Sequence, residues 1–297
     1  MKLQNINRRI ISEHIFDIFN VLFLATLTLI CLYPFYYVLI YSLSDPLRAR
    51  GVTLLPAGFT LKNYLIILRL PGLAHAAFVS VARTVIGAGL TVFCSSLFAF
   101  VLTKDRLPIR KLMYRMTIAT MYMSAGLIPW YLVRRLYHLD NTFWLYIVPT
   151  VISAYYVILL KTFIEQLPPS LEESAKIDGA GIMHIFFRIV LPLSTPIIAT
   201  ILVFSAVDQW NAYFDNYVLV SDKSLYTLQY ILFTYLNRAS AISTDINQLK
   251  MRGLAEATSP AAIKMTITMV VTLPVLFVYP IAQRYFVKGI MIGAIKG

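Results

Sequence analysis

Long apolar stretches separated by short polar segments are the dominant pattern of this chain. The stretches are almost free of charge and show no period-two alternation, which favours helices over the strands of a barrel. A helix needs roughly 20 apolar residues to cross a bilayer. The stretches that approach or exceed this length are 18–43, 84–103, 116–133, 141–160, 189–207 and 265–283. We predict an all-α membrane protein with six transmembrane helices, forming a single domain over residues 1–297.

The composition supports this prediction. Hydrophobic residues make up 59% of the chain and charged residues only 13%, with a mean hydropathy of +0.71. A soluble domain cannot bury so much apolar surface. The first stretch is longer than the apolar core of a cleaved signal peptide, which has about 7–15 residues. We therefore expect it to be retained as a membrane anchor.

The formal net charge of +12 comes mostly from basic residues near the ends of the apolar stretches. Such residues contact lipid headgroups and set the orientation of a membrane protein, so we expect lipid contact and no nucleic-acid partner. The connection between the second and third stretches is rich in them: Lys104, Arg106, Arg110, Lys111 and Arg115. This bias predicts a multi-pass protein of the plasma membrane with cytoplasmic N- and C-termini. Arg134 and Arg135 run against the bias, because they fall on a predicted outer connection.

A polar segment between the fourth and fifth stretches carries its own helix signals. The prolines at 168–169 cannot continue an arriving helix. Ser170 stands three residues before Glu173, which is the spacing of a capping box. Gly179 tolerates the positive φ of a tight turn, and a second short helix is expected over about 182–190. The segment is predicted to be a cytoplasmic helix-turn-helix, with Pro192 restarting the chain into the next span.

The same segment resembles the EAA loop of permease subunits from ABC importers. In that family the loop reads Glu-Ala-Ala, three residues, Gly, nine residues and Ile-x-Leu-Pro. The residues at that spacing here are Glu173, Ser174, Ala175, Gly179, Ile189, Leu191 and Pro192. The resemblance implies that the loop, about 165–192, couples to an ATPase through these residues together with Asp178 and Ala180. For Glu173 alone, service only as a helix cap is an open alternative.

Weaker motifs extend the resemblance to permeases for complex carbohydrates. They are the segments starting at Gly126 and Asn141, the pair Trp210-Asn211 and the tail 284–297. The resemblance implies import of an oligosaccharide or glycan fragment. It also implies a second, homologous permease subunit, two cytoplasmic ATPase subunits and an extracytoplasmic solute-binding protein. In related permeases the tail is cytoplasmic and reaches toward the ATPase dimer.

Motifs of catalysis are missing from the sequence. It contains no G-x-x-x-x-G-K-[ST] loop to hold ATP phosphates, so ATP and Mg²⁺ are expected on the partner ATPase and no cofactor in this chain. We predict neither catalytic residues nor a metal site. The alternatives are an ion-gradient secondary transporter, an ABC permease for a non-sugar solute and a membrane-embedded enzyme. The near absence of charge within the spans argues against the first of these.

Charged and polar residues near the ends of spans are candidates for the substrate pathway. Asp208, Trp210, Asn211 and Asp215 are expected at the outer end of the fifth span. At roughly 100° per residue, Asp208 and Asn211 lie about 60° apart, whereas Trp210 lies about 160° from Asp208. We predict Asp208 and Asn211 for the pathway or for the contact between the two permeases, and Trp210 for an interfacial or packing position. An interfacial position is equally open for Asp208. Arg83 is expected to extend toward the membrane interface.

Overall fold

The protein is described by a computed structural model over residues 2–46, 48, 54–238, 247 and 259–294. These residues are helical, apart from turns and one isolated bridge between Ser44 and Phe59. Their contacts divide the chain into two units. The first comprises Met1–Leu70 with Arg238–Val270, and the second comprises Pro71–Asn237 with Val271–Gly297.

In the first unit, helix α1 (Lys2–Ser42) precedes the short helix α2 (Lys62–Leu68). Asn63 is fully buried, and its amide nitrogen donates to the carbonyl oxygens of Ser42 and Ser44, each at 2.9 Å. These bonds satisfy backbone carbonyls at the end of α1, which the helix itself leaves unpaired. One side chain therefore fixes α2 to the end of the long helix.

The second unit holds most of the helices. They are α3 (Leu73–Leu102), α4 (Arg110–Tyr122), α5 (Leu127–Leu136), α6 (Ala154–Ile164), α7 (Pro169–Ile177), α8 (Ile182–Ile185), α9 (Leu191–Leu193), α10 (Thr195–Asn211), α11 (Phe214–Leu219) and α12 (Leu228–Asn237). The 3₁₀ helices are Phe143–Tyr146, Val148–Thr150 and Lys223–Leu225, and Phe186–Val190 is a π-helix. The last helix, α13 (Pro260–Ala294), contains Pro274 and Pro280.

Within the described residues, three helices are long and apolar enough to cross a membrane: His14–Ser42, Leu73–Leu102 and Pro260–Val278. Two further pairs meet the same criterion together but are bent. Phe143–Thr150 and Ala154–Ile164 meet at 44°, and Ile182–Leu193 and Thr195–Asn211 meet at 80°. The structure therefore contains three to five candidate crossings by length and composition.

The third predicted span is wrong as a single helix. The apolar stretch 116–133 is divided between α4 and α5, and Met123 between them is extended, with φ −111° and ψ 119°. Gly126 then adopts φ +82° immediately before α5. A residue with this φ cannot continue a right-handed helix. The break therefore depends on backbone conformation, which hydropathy does not predict.

Two hydrophobic cores hold the second unit together. One surrounds the end of α3 and the segment after α7, and its fully buried members include Phe100, Leu160, Phe186 and Ile201. The other is built around Tyr146, with residues from α3, the 3₁₀ helices and α11. The first core includes Tyr156 and packs against Ala175 and Ala180 of the polar segment, whereas the second lies beside Arg83 through Tyr146.

Candidate coupling loop and substrate pathway

The helix-turn-helix predicted from the polar segment is present, but its first helix starts differently. Pro168 is the N-cap and Pro169 the first residue of α7, and no side chain caps the helix. Proline is favoured at this position because its missing N–H is not needed there. The predicted capping box of Ser170 and Glu173 is therefore wrong, and the carboxylate of Glu173 is left exposed.

The turn after α7 is a Schellman motif. Gly179 adopts φ +80°, its N–H donates to the carbonyl of Lys176 at 3.1 Å, and the N–H of Ala180 donates to the carbonyl of Ala175 at 2.9 Å. These two bonds satisfy carbonyls at the end of the helix. The turn predicted at Gly179 is confirmed, and the positive φ explains why glycine stands there.

The second helical part is longer than predicted. Helix α8, the π-helix Phe186–Val190 and α9 follow one another, and Pro192 lies inside α9. Because Pro192 has no N–H, an α-helical bond to the carbonyl of Arg188 is impossible there, and a wider π turn accommodates the loss. The break comes at Ser194, which is the C-cap of α9. The prediction that Pro192 restarts the chain is therefore wrong.

Four of the predicted coupling residues face the chain's own core. Ala175, Ala180, Ile189 and Leu191 are partly buried and pack against the core around Phe186. They shape the loop, because their contacts hold the two short helices in place. Glu173, Ser174, Asp178, Gly179 and Pro192 are exposed.

Exposed apolar side chains flank the turn at positions that sequence reasoning missed. Ile177 is 86% exposed at the end of α7, and Ile182 and Met183 are 54% and 53% exposed at the start of α8. A folded turn held by backbone hydrogen bonds thus presents three large apolar side chains. The family spacing identifies the residues that form the turn, whereas these side chains lie between the motif positions.

An ion pair connects this loop to α3. The Lys104 ammonium donates to both carboxylate oxygens of Glu172, at 2.6 and 2.7 Å, and lies 3.8 Å from the centre of the Phe100 ring. Partial burial lowers the pKa of Lys104, while the hydrogen bond and charge of Glu172 act in the opposite direction. The most basic connection of the sequence therefore contacts the helix-turn-helix directly.

The candidate pathway residue Asp208 lies at a cavity. Its carboxylate accepts a hydrogen bond from the Tyr156 hydroxyl at 2.5 Å, close to the exposed ring of Tyr155. The cavity has a volume of about 500 Å³ and is lined by Tyr155, Tyr156, Val203, Phe204, Val207, Asp208, Val275 and Val278. Aromatic faces beside a hydrogen-bond acceptor are the chemistry that a sugar ring with its hydroxyl groups requires.

The other two residues of this turn point in different directions. Asn211 is the last residue of α10 and is exposed, but it does not line the cavity. The Trp210 indole donates to the carbonyl of Val271 at 3.0 Å. Trp210 therefore packs against the last helix, which is one of the two positions expected for it. Asp215 does not continue the cluster on one helix, because α10 ends at Asn211 and Asp215 belongs to α11.

Arg83 is buried rather than interfacial, with 1% of its surface exposed. Its guanidinium forms two hydrogen bonds to the carboxylate of Asp215, at 2.5 and 3.1 Å, and a third to the carbonyl of Ala212 at 3.1 Å. It also lies 4.5 Å from the centre of the Tyr146 ring. The expected interfacial position of Arg83 is therefore wrong. The Asp215 carboxylate and the Ala212 carbonyl accept its hydrogen bonds inside the protein, so the charge does not need to reach water.

Gln209 completes this cluster. Its side-chain oxygen accepts from Arg83 at 3.0 Å, and its nitrogen donates to the Thr150 hydroxyl at 2.7 Å. The space for the side chain exists because residue 87 is glycine, where a Cβ would lie 2.7 Å from the Gln209 side-chain carbon. We call Arg83, Gln209, Ala212 and Asp215 the corner cluster, since they hold the break between α10 and α11.

Among the described residues, no group of three or more His, Cys, Asp or Glu side chains is placed to share a metal ion. The candidate sites are instead a surface loop with exposed apolar side chains and a cavity among apolar helices.

Comparison with known proteins identifies the family. The chain belongs to the family described as "Binding-protein-dependent transport system inner membrane component", which matches residues 6–292. It is 37% identical over 288 residues to the polygalacturonan/rhamnogalacturonan transport system permease protein YtcP of Bacillus subtilis, covering 96% of this chain and 100% of the relative. Protein LplC of the same organism is 36% identical over 96% of each chain.

A solved structure is similar over nearly its whole length. A chain from the crystal structure of a bacterial ABC transporter involved in the import of the acidic polysaccharide alginate has a TM-score of 0.83 and 27% identity. The match covers 93% of this chain and 98% of that chain. The resemblance to ABC importer permeases is thus confirmed. The chain is a membrane transport subunit rather than an enzyme, and its family works with a partner permease, a separate ATPase and a solute-binding protein.

Proposed function

We propose that this chain forms half of the translocation pathway of an ATP-driven importer of oligosaccharides or glycan fragments. It pairs with a second permease subunit and receives substrate from an extracytoplasmic binding protein. The helix-turn-helix formed by α7 and α8 contacts an ATPase subunit and couples its motion to the spans. ATP and Mg²⁺ bind to the ATPase, and this chain holds no cofactor.

The observation that carries the coupling role is the exposed apolar surface beside the turn. Ile177, Ile182 and Met183 are each more than half exposed, next to the exposed carboxylates of Glu173 and Asp178. Clustered apolar side chains with a polar rim are typical of protein interaction sites. A rigid turn that presents them is suited to dock in a groove of a partner and to move with it.

We propose six crossings, with the loop and both termini in the cytoplasm and the whole chain acting as one permease domain. Helices α4 and α5 together supply the third crossing, the bent pair Phe143–Thr150 and Ala154–Ile164 supplies the fourth, and α10 supplies the fifth. The basic connection containing Lys104 then lies on the cytoplasmic side, in agreement with the positive-inside rule. The predicted tail 284–297 is helical as far as Ala294, and residues 295–297 lie outside the described residues.

Two observations support a carbohydrate substrate. The first relative is named for polygalacturonan and rhamnogalacturonan transport, and the similar structure comes from an importer of alginate. In addition, Asp208 and Tyr156 offer polar groups beside the Tyr155 ring in a cavity of about 500 Å³. Asp208 and Asn211 are the residues we propose for the substrate pathway.

Reconstitution tests this function. The chain is assembled in proteoliposomes with its partner permease, ATPase and binding protein, and uptake of labelled oligogalacturonides and neutral oligosaccharides is measured with ATP inside. We expect ATP-dependent uptake of at least one of these carbohydrates. Uptake driven by an ion gradient without ATP would contradict the proposal.

A substitution at the exposed apolar surface tests the coupling role. Ile177→Asp places a charge on that surface, so we expect weaker attachment of the ATPase and loss of uptake. Leu136→Asp is the matched control, because Leu136 is also exposed, at 74%, and ends helix α5. If Ile177→Asp retains the ATPase and transports normally, the loop does not have this role.

A further inference from the structure

We propose that Lys104 and Glu172 form a positioning ion pair that transmits the motion of the coupling loop to α3. This inference depends on the proposed function, in which α7 and α8 follow the ATPase. The two residues come from segments 68 positions apart in sequence. Lys104 lies two residues beyond the end of α3, and Glu172 lies in the first turn of α7.

The geometry of the pair opposes sliding between the two helices. Both carboxylate oxygens of Glu172 accept from one ammonium, at 2.6 and 2.7 Å. Charge-assisted bonds of this kind are short, directional and about twice as strong as neutral ones. Apolar contacts, such as those of Ala175 with the core, are non-directional and permit small displacements. The ion pair therefore fixes the position of α7 relative to the end of α3, which the apolar contacts alone would not do.

The surroundings strengthen the pair. The side chains of Lys104 and Glu172 are only 16% and 23% exposed. The ammonium lies against the ring of Phe100, which is itself buried and packs on Phe186 with ring centres 5.1 Å apart. A fully exposed pair would contribute little because water and salt screen it. Partial burial against a rigid aromatic pair removes much of that screening.

Neighbouring carboxylates of α7 have different surroundings. Glu173 is exposed, whereas Glu172 turns toward α3. Lys176 adds a second, longer contact to Glu172 at 3.7 Å. Among the α7 side chains in the described part of the chain, Glu172 is the one that hydrogen-bonds outside the loop. Glu173 is therefore free to meet a partner, while Glu172 holds α7 to its own subunit.

The pair also lies at the C-terminal end of a long helix. Helix α3 has 30 residues, which corresponds to about 45 Å at 1.5 Å per residue. It crosses from the core beside the loop to the corner cluster at Arg83. A displacement imposed at Lys104 would be carried along this helix as a rigid body, which is a common way for coupled motions to travel.

The test measures whether α7 and α3 move together. In the reconstituted complex, Cys31 and Cys94 are first replaced by serine. Spin labels are attached at Ser170→Cys on α7 and Ala74→Cys at the far end of α3, both at exposed positions outside the predicted coupling residues. The distance between the labels is recorded with and without Mg-ATP and vanadate. In the parent protein we expect this distance to remain constant through the nucleotide cycle.

Glu172→Gln keeps the size of the side chain but removes its charge. We expect the nucleotide-dependent distance to shift and broaden in this variant, while the ATPase stays attached. Uptake per ATP hydrolysed should fall by about 2- to 30-fold, the range of energetic coupling carried by such contacts. Lys104→Gln should cause the same loss, and the double variant Lys104→Gln/Glu172→Gln should lose no more than either single variant, which unrelated losses of stability would not do.

Lys161 and Glu165 provide the matched control. They form an ion pair of the same chemistry at 2.6 Å near the end of α6, but within one helix. Glu165→Gln should leave the label distance and the uptake ratio unchanged. A constant distance in Glu172→Gln, equal to that of Glu165→Gln, would overturn the inference. Since Ile177→Asp tests attachment of the ATPase separately, this failure is distinguishable from failure of the proposed function.

Discussion

The coupling loop and the corner cluster are two regions of one structural unit with opposite designs. The loop is a surface feature whose turn is held by backbone hydrogen bonds and whose large apolar side chains face outward. The corner cluster is largely buried. There the Arg83 guanidinium donates hydrogen bonds to the Asp215 carboxylate, the Gln209 side-chain oxygen and the Ala212 carbonyl. The first arrangement suits contact with a moving partner, and the second suits maintenance of a fixed bend.

Substitutions in the two regions should therefore have two different kinds of effect. Changes in the corner cluster leave buried polar groups without partners, so they should reduce the folded population itself. Changes in the loop meet water, so they should leave folding largely intact and alter communication with the partner. Single substitutions in each region test this division.

The largest effect is expected at Arg83. Arg83→Met leaves the Asp215 carboxylate, which is only 14% exposed, without its ion-pair partner, and breaking a buried pair costs about 3–5 kcal/mol. We expect a strong loss of folded protein, measured as the yield of monodisperse material in detergent and as the thermal unfolding temperature. The double variant Arg83→Met/Asp215→Leu removes both charges and should recover part of the loss. Normal stability of the single variant would show that the ion pair is not required.

A smaller loss of stability is expected at Gly87. Gly87→Ala places a Cβ where the Gln209 side chain now lies, at 2.7 Å, and overpacking of this kind costs about 1–3 kcal/mol. The thermal unfolding temperature should therefore fall. Gly89→Ala is the control, because its added Cβ would point into open space beside the helix. Equal unfolding temperatures for the two variants would contradict the close approach to Gln209.

At the loop, Gly179→Val should uncouple rather than unfold the protein. A β-branched residue at φ +80° strains the turn by about 1–3 kcal/mol. We expect the subunit to remain in the membrane while ATP hydrolysis no longer drives uptake. Gly181→Val is the control, since Gly181 lies in the same loop with φ −71° and open space around it. Normal uptake by Gly179→Val would remove the turn from the coupling mechanism.

The smallest effects are expected at the end of α10. Asn211→Ala should lower uptake more than Trp210→Phe at equal expression, with attachment of the ATPase unchanged. Trp210→Phe loses one hydrogen bond to Val271, worth about 1 kcal/mol, but retains most of its packing. Uptake is measured in proteoliposomes at matched protein content. Near-normal uptake in both variants would exclude this turn from the substrate pathway.

How much the sequence predicts differs between the two regions for a physical reason. The loop is specified locally, because Pro169, Gly179 and the alternation of buried and exposed residues act over a few positions. The family spacing therefore predicts the helix-turn-helix and its turn. It does not identify Ile177 or Met183, because an apolar residue in a short helix is equally compatible with a buried position.

The corner cluster is specified over long distances. Arg83 meets Gln209 and Asp215, which are 126 and 132 residues away. A single sequence contains no signal for such pairs, so the default expectation for an arginine near a span end is the membrane interface. The same limit applies to the apolar stretch 116–133, whose division depends on the conformation of Gly126 rather than on hydropathy.

The π-helix after α8 has one further consequence. A π turn contains one more residue than an α turn, so the residues Phe186–Val190 include one that an α-helix turning through the same angle would not hold. The extra residue is therefore absorbed without a large rotation of Ile182–Ile185 relative to α9. One residue added to a regular α-helix would instead rotate Ile182 and Met183 by about 100° around the helix axis. The π turn thus preserves the direction of these exposed side chains while it accommodates Pro192.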